Sequence, residues 1–211
     1  MRAIFSPLEC LARLRCLCPV LAYGALALVV SSLLMAFAAP ARAIEVGQLA
    51  PDFTLYDLDG SAHRLRAESG HIVVLFFFGV NGTACVNAAR ELDGAVYQAY
   101  QASGVQVWGI DAWNAREGDL IRFASECNVS YPLLAGGRTV AETYDLPYHS
   151  FVIIGMDGVV RYVSEGPGDS ALDSAAMVRT IRQIIEDSNV VRENTWGEIK
   201  TLFERDLVAS R

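Results

Sequence analysis

The sequence predicts an α/β domain, a central mixed β-sheet flanked by helices, with a helical extension at its C-terminal end. Three observations carry that prediction. Strand-like and helix-like stretches alternate from Ile44 onward. The run His71 to Phe78, HIVVLFFF, is almost continuously apolar, as a strand buried on both faces must be. Between Thr83 and Ser103, Cys85, Ala88, Ala89, Leu92, Val96, Ala99 and Tyr100 recur at spacings of three and four, which marks one face of a helix.

The first 43 residues differ in kind from the rest. Arg2, Arg13 and Arg15 make a basic start, Leu17 to Ala39 carries no charge, and the segment closes on APARA. There Ala41 and Ala43 give the small-x-small pattern that precedes a signal-peptidase cut, here ahead of Ile44. The apolar run is also long enough to span a bilayer, so residues 17–39 allow a second reading as an uncleaved anchor. In both cases the remainder is exported, periplasmic or secreted.

Within that remainder, DFTLYDLDGSAHRL has two short alternating runs around Asp59-Gly60, a dipeptide suited to a hairpin turn. The helix after HIVVLFFF ends at Gly104. VQVWGIDAW is a second core strand, and Glu117 to Cys127 reads as a helix with Leu120, Ile121 and Ala124 inward. SFVIIGMDGVVRYVSE is a hairpin turning at Asp157-Gly158, and Asp173 to Asp187 follows the helical period. Thr195 and Glu198 are spaced as a capping box before Ile199, Leu202 and Phe203, which starts one more helix. The organisation is therefore a signal or anchor at 1–43, a domain at 44–168, and C-terminal helices at 169–211 packing on that domain.

Composition narrows the partners. The chain of 211 residues has a formal charge of −7. Setting aside Arg2, Arg13, Arg15, Arg42 and Glu9 leaves 13 basic and 23 acidic side chains, a charge of about −10. An acidic surface of that size argues against nucleic acid and against lipid beyond an N-terminal anchor. Of the five cysteines, Cys10, Cys16 and Cys18 fall in the N-terminal segment, so Cys85 and Cys127 are those of the domain. Two are too few for a zinc site, and neither metal nor cofactor is called for.

Several strings, in order from Gly47 to Glu165, resemble the redoxins of the thioredoxin fold, meaning the peroxiredoxin-like AhpC/TSA family and the TlpA-like thiol-disulfide oxidoreductases. GQLAPDFTLYDLDG is similar to the entry signature of that group, and VVLFFFGVNGTACVNAARELDGA to its central strand and active-site helix. RFASECNVSYPLLA and SFVIIGMDGVVRYV are similar to its later crossing and final hairpin. The resemblance implies a thioredoxin-like fold and thiol-based oxidoreductase chemistry of the antioxidant kind, with a small peroxide or a thiol or disulfide protein as partner.

The site departs from both subfamilies. TlpA-like proteins carry Trp-Cys-x-x-Cys where this chain has Asn81-Gly82-Thr83-Ala84-Cys85, so Gly82 replaces the attacking cysteine. Without that sulfur the two-cysteine exchange cycle cannot run inside the motif. Peroxiredoxins place their reacting cysteine at the position of Cys85, after a proline and a threonine that here are Phe78 and Gly82, with Thr83 one place late.

Cys85, in the first turn of a helix, is expected to have a lowered pKa and to act as a nucleophile; the bland reading is a buried, inert filler. Cys127, 42 residues on, is a candidate resolving cysteine or a helix-end thiol with no role. His149 in LPYHSF is a candidate base or thiolate stabiliser, or simply solvated. Thr83, Pro147 and Tyr148 are candidate substrate contacts. In the family this loop carries a cis-proline, which here is either shifted to Pro147 or absent.

His63 and His71 look like surface residues. Trp108 and Trp113 bracket the second strand, with Asn81 and Asn114 as possible hydrogen-bonding groups near its end. The buried acid of ordinary thioredoxins falls at Phe76. Three functions follow: a redoxin using Cys85 on peroxide or disulfides, a redox-inactive binding module, and a copper protein using Cys85 and His149.

Overall fold

A computed structural model describes residues 43–164 and 172–189. The N-terminal segment 1–42 and the start signal at Thr195 and Glu198 lie outside the described residues. Seven strands form one sheet: β1 (Thr54–Asp57), β2 (Ala62–Arg64), β3 (Ile72–Phe78), β4 (Val105–Asp111), β5 (Leu133–Ala135), β6 (Ser150–Ile154) and β7 (Val160–Val163). The helices are α1 (Thr83–Leu92), α2 (Glu117–Cys127), α3 (Arg138–Tyr144) and α4 at 174–189. The strand order is β2-β1-β5-β4-β3-β6-β7. β3, β4 and β5 run parallel, and the outer neighbours pair antiparallel, which makes the sheet mixed.

The apolar run of β3 explains the layering. Alternate side chains of a strand face opposite sides. Ile72, Val74, Phe76 and Phe78 face one cluster with Leu92 and Val96, with Leu120 and Phe123 of α2, and with Met177 and Ile181 of α4. Val73, Leu75 and Phe77 face the other, with Trp108, Ile110 and Tyr144. All seven residues of β3 are buried, as an interior strand covered on both faces requires. Phe76 stacks on Phe151 with centroids 4.7 Å apart, and Phe78 on Phe123 at 4.3 Å. Truncating one of these rings to alanine costs roughly 3–5 kcal/mol in such a core.

Both hairpins form where the sequence places them. Gly60 and Gly158 take φ of 82° and 78°, the left-handed region that Asp-Gly turns use. The chain is packed from Ile44, whose side chain is buried and whose N–H donates to the Tyr144 carbonyl at 3.0 Å.

Two helical stripes differ from expectation. After α1 the helix widens into a π turn, Asp93–Tyr97, before a last α turn, Gln98–Tyr100. A π turn rotates every later residue relative to the earlier stripe. Ala99 is therefore exposed, whereas Ala95 and Tyr97 pack on the core. In α2 Leu120 and Ala124 pack on the core as expected, joined by Phe123 and Cys127, whereas Ile121 is exposed. The face passes through 120, 123 and 127 rather than 120 and 121 because the bulky Phe123 fills the space against Phe78.

Candidate active site

The site lies at the C-terminal end of β3, where open α/β sheets place their ligands. The strand stops at Phe78, the chain turns through Gly79 to Asn81, and α1 starts at Thr83 with Gly82 as its N-cap. No side chain caps that end, so the first-turn N–H groups are left to the loop and the site. Cys85 is the third residue of α1 and 2% exposed. Thr83 and Ala84 before it are exposed.

Gly82 has φ −114° and ψ 120°, extended geometry that any residue adopts. A β-carbon built on it would stand 3.8 Å from Cys85 Sγ. The backbone therefore does not require glycine here. Position 82 faces the sulfur of Cys85, and glycine leaves no functional group there.

The electrostatics of Cys85 correct the sequence expectation. Its pKa is raised, because burial disfavours the thiolate; a backbone hydrogen bond from Gly79 acts in the opposite direction and is the smaller influence. The helix N-terminus does not prevail over desolvation. How deeply a sulfur is buried depends on what packs over it, which the position in a helix does not tell.

Cys127, the last residue of α2, is 1% exposed and shares the core cluster of Cys85. Burial pushes its thiol up to about 12, with Glu126 and Cys85 adding to the shift and Arg90 opposing it. The structure has no disulfide between them.

His149 is buried rather than solvated, 6% exposed, with φ of 67° and its N–H donating to the Phe77 carbonyl at 2.6 Å. Its ring meets Phe76 and Phe151 edge-on at 6.4 and 5.9 Å, on the sheet face that carries Cys85. No cis peptide bond occurs among the described residues, so Pro147 is trans.

Trp113 stands in the loop after β4, at the same end of the sheet. Asp111, fully buried, accepts from Trp113 N–H at 3.0 Å and Ala115 N–H at 2.6 Å. Asn114, at φ 53°, accepts from Arg138 N–H at 3.0 Å. This loop holds the Trp113 indole against Gly79, where an added β-carbon would come within 2.8 Å of the ring.

Trp113 is 41% exposed and Tyr148 40%, and their rings meet at 4.8 Å. Together with Pro147 and Leu146 they line a cleft of about 590 Å³ beside α3. The substrate candidates Pro147 and Tyr148 thus come together with Trp113, whereas Asn81 is exposed at the loop tip.

His63 is also not a plain surface group. It bonds Asp57 at 2.8 Å and packs on Trp108, tying the β1–β2 hairpin to the sheet, while His71 is half exposed beside Glu68. Among the described residues no three His, Cys, Asp or Glu side chains group as metal ligands.

A mixed sheet with β3 feeding a cysteine-bearing helix defines a thiol protein of the thioredoxin-like fold. The chain belongs to the AhpC/TSA family, whose model matches residues 46–163.

It is 30% identical over 128 residues to the thiol-disulfide oxidoreductase ResA of Geobacillus thermodenitrificans, covering 59% of this chain and 71% of that protein. It is also 30% identical over 121 residues to a protein of Helicobacter pylori named as a peroxiredoxin, bcp, covering 56% and 78%. The crystal structure of peroxidoxin BcpB from Mycobacterium tuberculosis shares the fold with a TM-score of 0.58 at 22% identity, over 67% of this chain and 98% of that one. Thiol-dependent oxidoreductases thus stand on both sides of the family resemblance.

Proposed function

We propose that this is an exported thiol peroxidase in which Cys85 reacts with a small peroxide and Cys127 resolves the product. The observation that carries the proposal is that the two cysteines of the domain share one buried cluster. Gly82 leaves no surface sulfur to attack a protein disulfide. Cys85 is 2% exposed, which puts its sulfur out of reach of a folded partner's disulfide and favours an oxidant as small as a peroxide.

In the first step the Cys85 thiolate attacks one peroxide oxygen. The O–O bond breaks, water or an alcohol leaves, and Cys85 becomes a sulfenic acid. In the second, the Cys127 thiolate attacks the Cys85 sulfur, the S–O bond breaks, the hydroxyl leaves as water, and a disulfide remains. An external dithiol supplies the two electrons and two protons that return both thiols.

The Gly79 bond is the local group that favours the Cys85 thiolate. His149 is assigned a supporting place, its ring engaged against Phe76 and Phe151. The basic start, uncharged stretch and small-x-small site of residues 1–43 support export.

One equivalent of hydrogen peroxide should lower the intact mass by two hydrogens, with peptide mapping placing the crosslink at Cys85 and Cys127. Two unmodified thiols at peroxide levels that consume free cysteine would sink the proposal. A second function, a redox-inactive binding module, is favoured by one observation: the exposed Trp113–Tyr148 pair lining an open cleft.

A further inference from the structure

The end of α2 that carries Cys127 is tied to the active-site helix by a set of bonds that sequence spacing does not announce. Arg90, on α1, donates from Nη2 to the Glu126 carbonyl at 2.5 Å and from Nε to the Cys127 carbonyl at 3.4 Å. Those carbonyls belong to the last turn of α2, where the helix leaves its acceptors without intrahelical donors and where the dipole favours a cation. Arg90 thus caps α2 from outside, through the backbone of the cysteine itself.

A second set of bonds continues the tie. In the π turn after α1, Asp93 accepts from Ser130 N–H at 2.8 Å. Gln98 donates to Ser130 Oγ at 2.8 Å, and Tyr131 donates its hydroxyl to the Ala89 carbonyl at 3.2 Å. Between the two sets lies Asn128 at φ 49°, the left-handed residue that ends α2. Asp93 opens the widened turn and Gln98 follows it, so the two ends of that turn both reach Ser130.

We propose that Arg90 is a positioning residue for the resolving step: it holds Cys127 in the helical end of α2, so release of this clamp sets how fast Cys127 becomes available. The inference rests on the function proposed above for its role in turnover, but not for its physical content.

A disulfide requires Cα atoms within about 7 Å and side chains turned toward each other. Cys127, at 1% exposure within a capped helix end, meets neither solvent nor an incoming reagent until that end opens. When it opens, the Cys127 sulfur attacks the Cys85 sulfenic acid and water leaves, as written above. While it stays closed, the sulfenic acid persists. The clamp therefore sets the lifetime of the oxidised intermediate.

The test uses the full reduced protein and a small alkylating reagent, iodoacetamide, with the rate at each thiol read by mass spectrometry. In Arg90→Ala, alkylation of Cys127 should rise about tenfold while that of Cys85 stays within about twofold, because only the α2 end opens more often. Arg90→Lys keeps the charge but cannot span both carbonyls, and should give a smaller rise; it also serves if the alanine variant folds poorly. Asp93→Asn, which weakens the tie to Ser130, should act in the same direction.

After one equivalent of peroxide, the Cys85–Cys127 crosslink should form faster in Arg90→Ala by the same factor as alkylation. Equal acceleration of both thiols, or none at Cys127, overturns the proposal. If alkylation shifts as stated but no crosslink forms in any variant, the clamp stands and the peroxidase function fails.

Discussion

At Cys85, two influences were in competition, the positive end of α1 and the desolvation of a sulfur in a phenylalanine-lined core. Burial prevails and the pKa rises. Alkylation of Cys85 should therefore keep accelerating above about pH 10, where an ordinary cysteine has levelled off; a plateau near pH 7 would show an activated thiolate instead.

Gly82 offers the complementary test. Its β-carbon position lies 3.8 Å from Cys85 Sγ, close to the roughly 3 Å that an S–S bond of about 2.05 Å imposes between Cβ and the far sulfur. Gly82→Cys should form an 82–85 disulfide with oxidised glutathione and gain a two-cysteine exchange cycle within the motif. Two thiols that stay reduced would mean that position 82 is not the vacant half of a dithiol site.

Among the elements, the loop after β4 shows how much structure is given to presenting one exposed indole. Asp111 has no solvent exposure, yet it holds the backbone of Trp113 and Ala115. Asp111→Ala would leave those two N–H groups without their acceptor and should cost about 1–3 kcal/mol in urea unfolding. The same substitution should change the Trp113 fluorescence before global unfolding begins.

The elements themselves were legible in the sequence where period and turn chemistry agree, as in β3, the Asp59-Gly60 and Asp157-Gly158 turns, and the glycine stop at Gly104. They were not legible where packing decides between neighbours. Ile121 and Phe123 compete for one face of α2, and the π turn moves Ala99 outward without any residue that announces it. His149 was visible as a candidate, but its burial, on a left-handed backbone just before β6, depends on the packing of Phe76 and Phe151 around it. Trp113 was visible only as an apolar residue at a strand end, because its exposure depends on the Asp111 contacts.

At the scale of the whole molecule, the fold buries thiols and phenols in their protonated form, and this lowers stability on the alkaline side. Cys85 and Cys127 have folded pKa values above their unfolded ones, Cys127 at about 12, and burial raises Tyr131 and Tyr144 as well. Above about pH 9 the unfolded chain loses these protons while the folded one keeps them, so stability must fall as pH rises from there toward 12. Chemical denaturation at pH 7 and pH 10 should show this loss, and Cys127→Ala should reduce it.

The acidic side has the opposite sign. Asp57, held low chiefly by its bond from His63, contributes stability that disappears as pH falls below its ordinary value of 3.8. Near neutral pH both cysteines lie buried in one core, the arrangement on which the proposed reaction of Cys85 with a small oxidant and its resolution by Cys127 rests.

The most direct test of that claim is to treat the Cys127→Ser protein with one equivalent of hydrogen peroxide and trap the product with a sulfenic-acid reagent such as dimedone. A single adduct on Cys85, absent when Cys85→Ser is added, is the predicted result. No adduct at any residue, with the Cys85 thiol still intact, would contradict it.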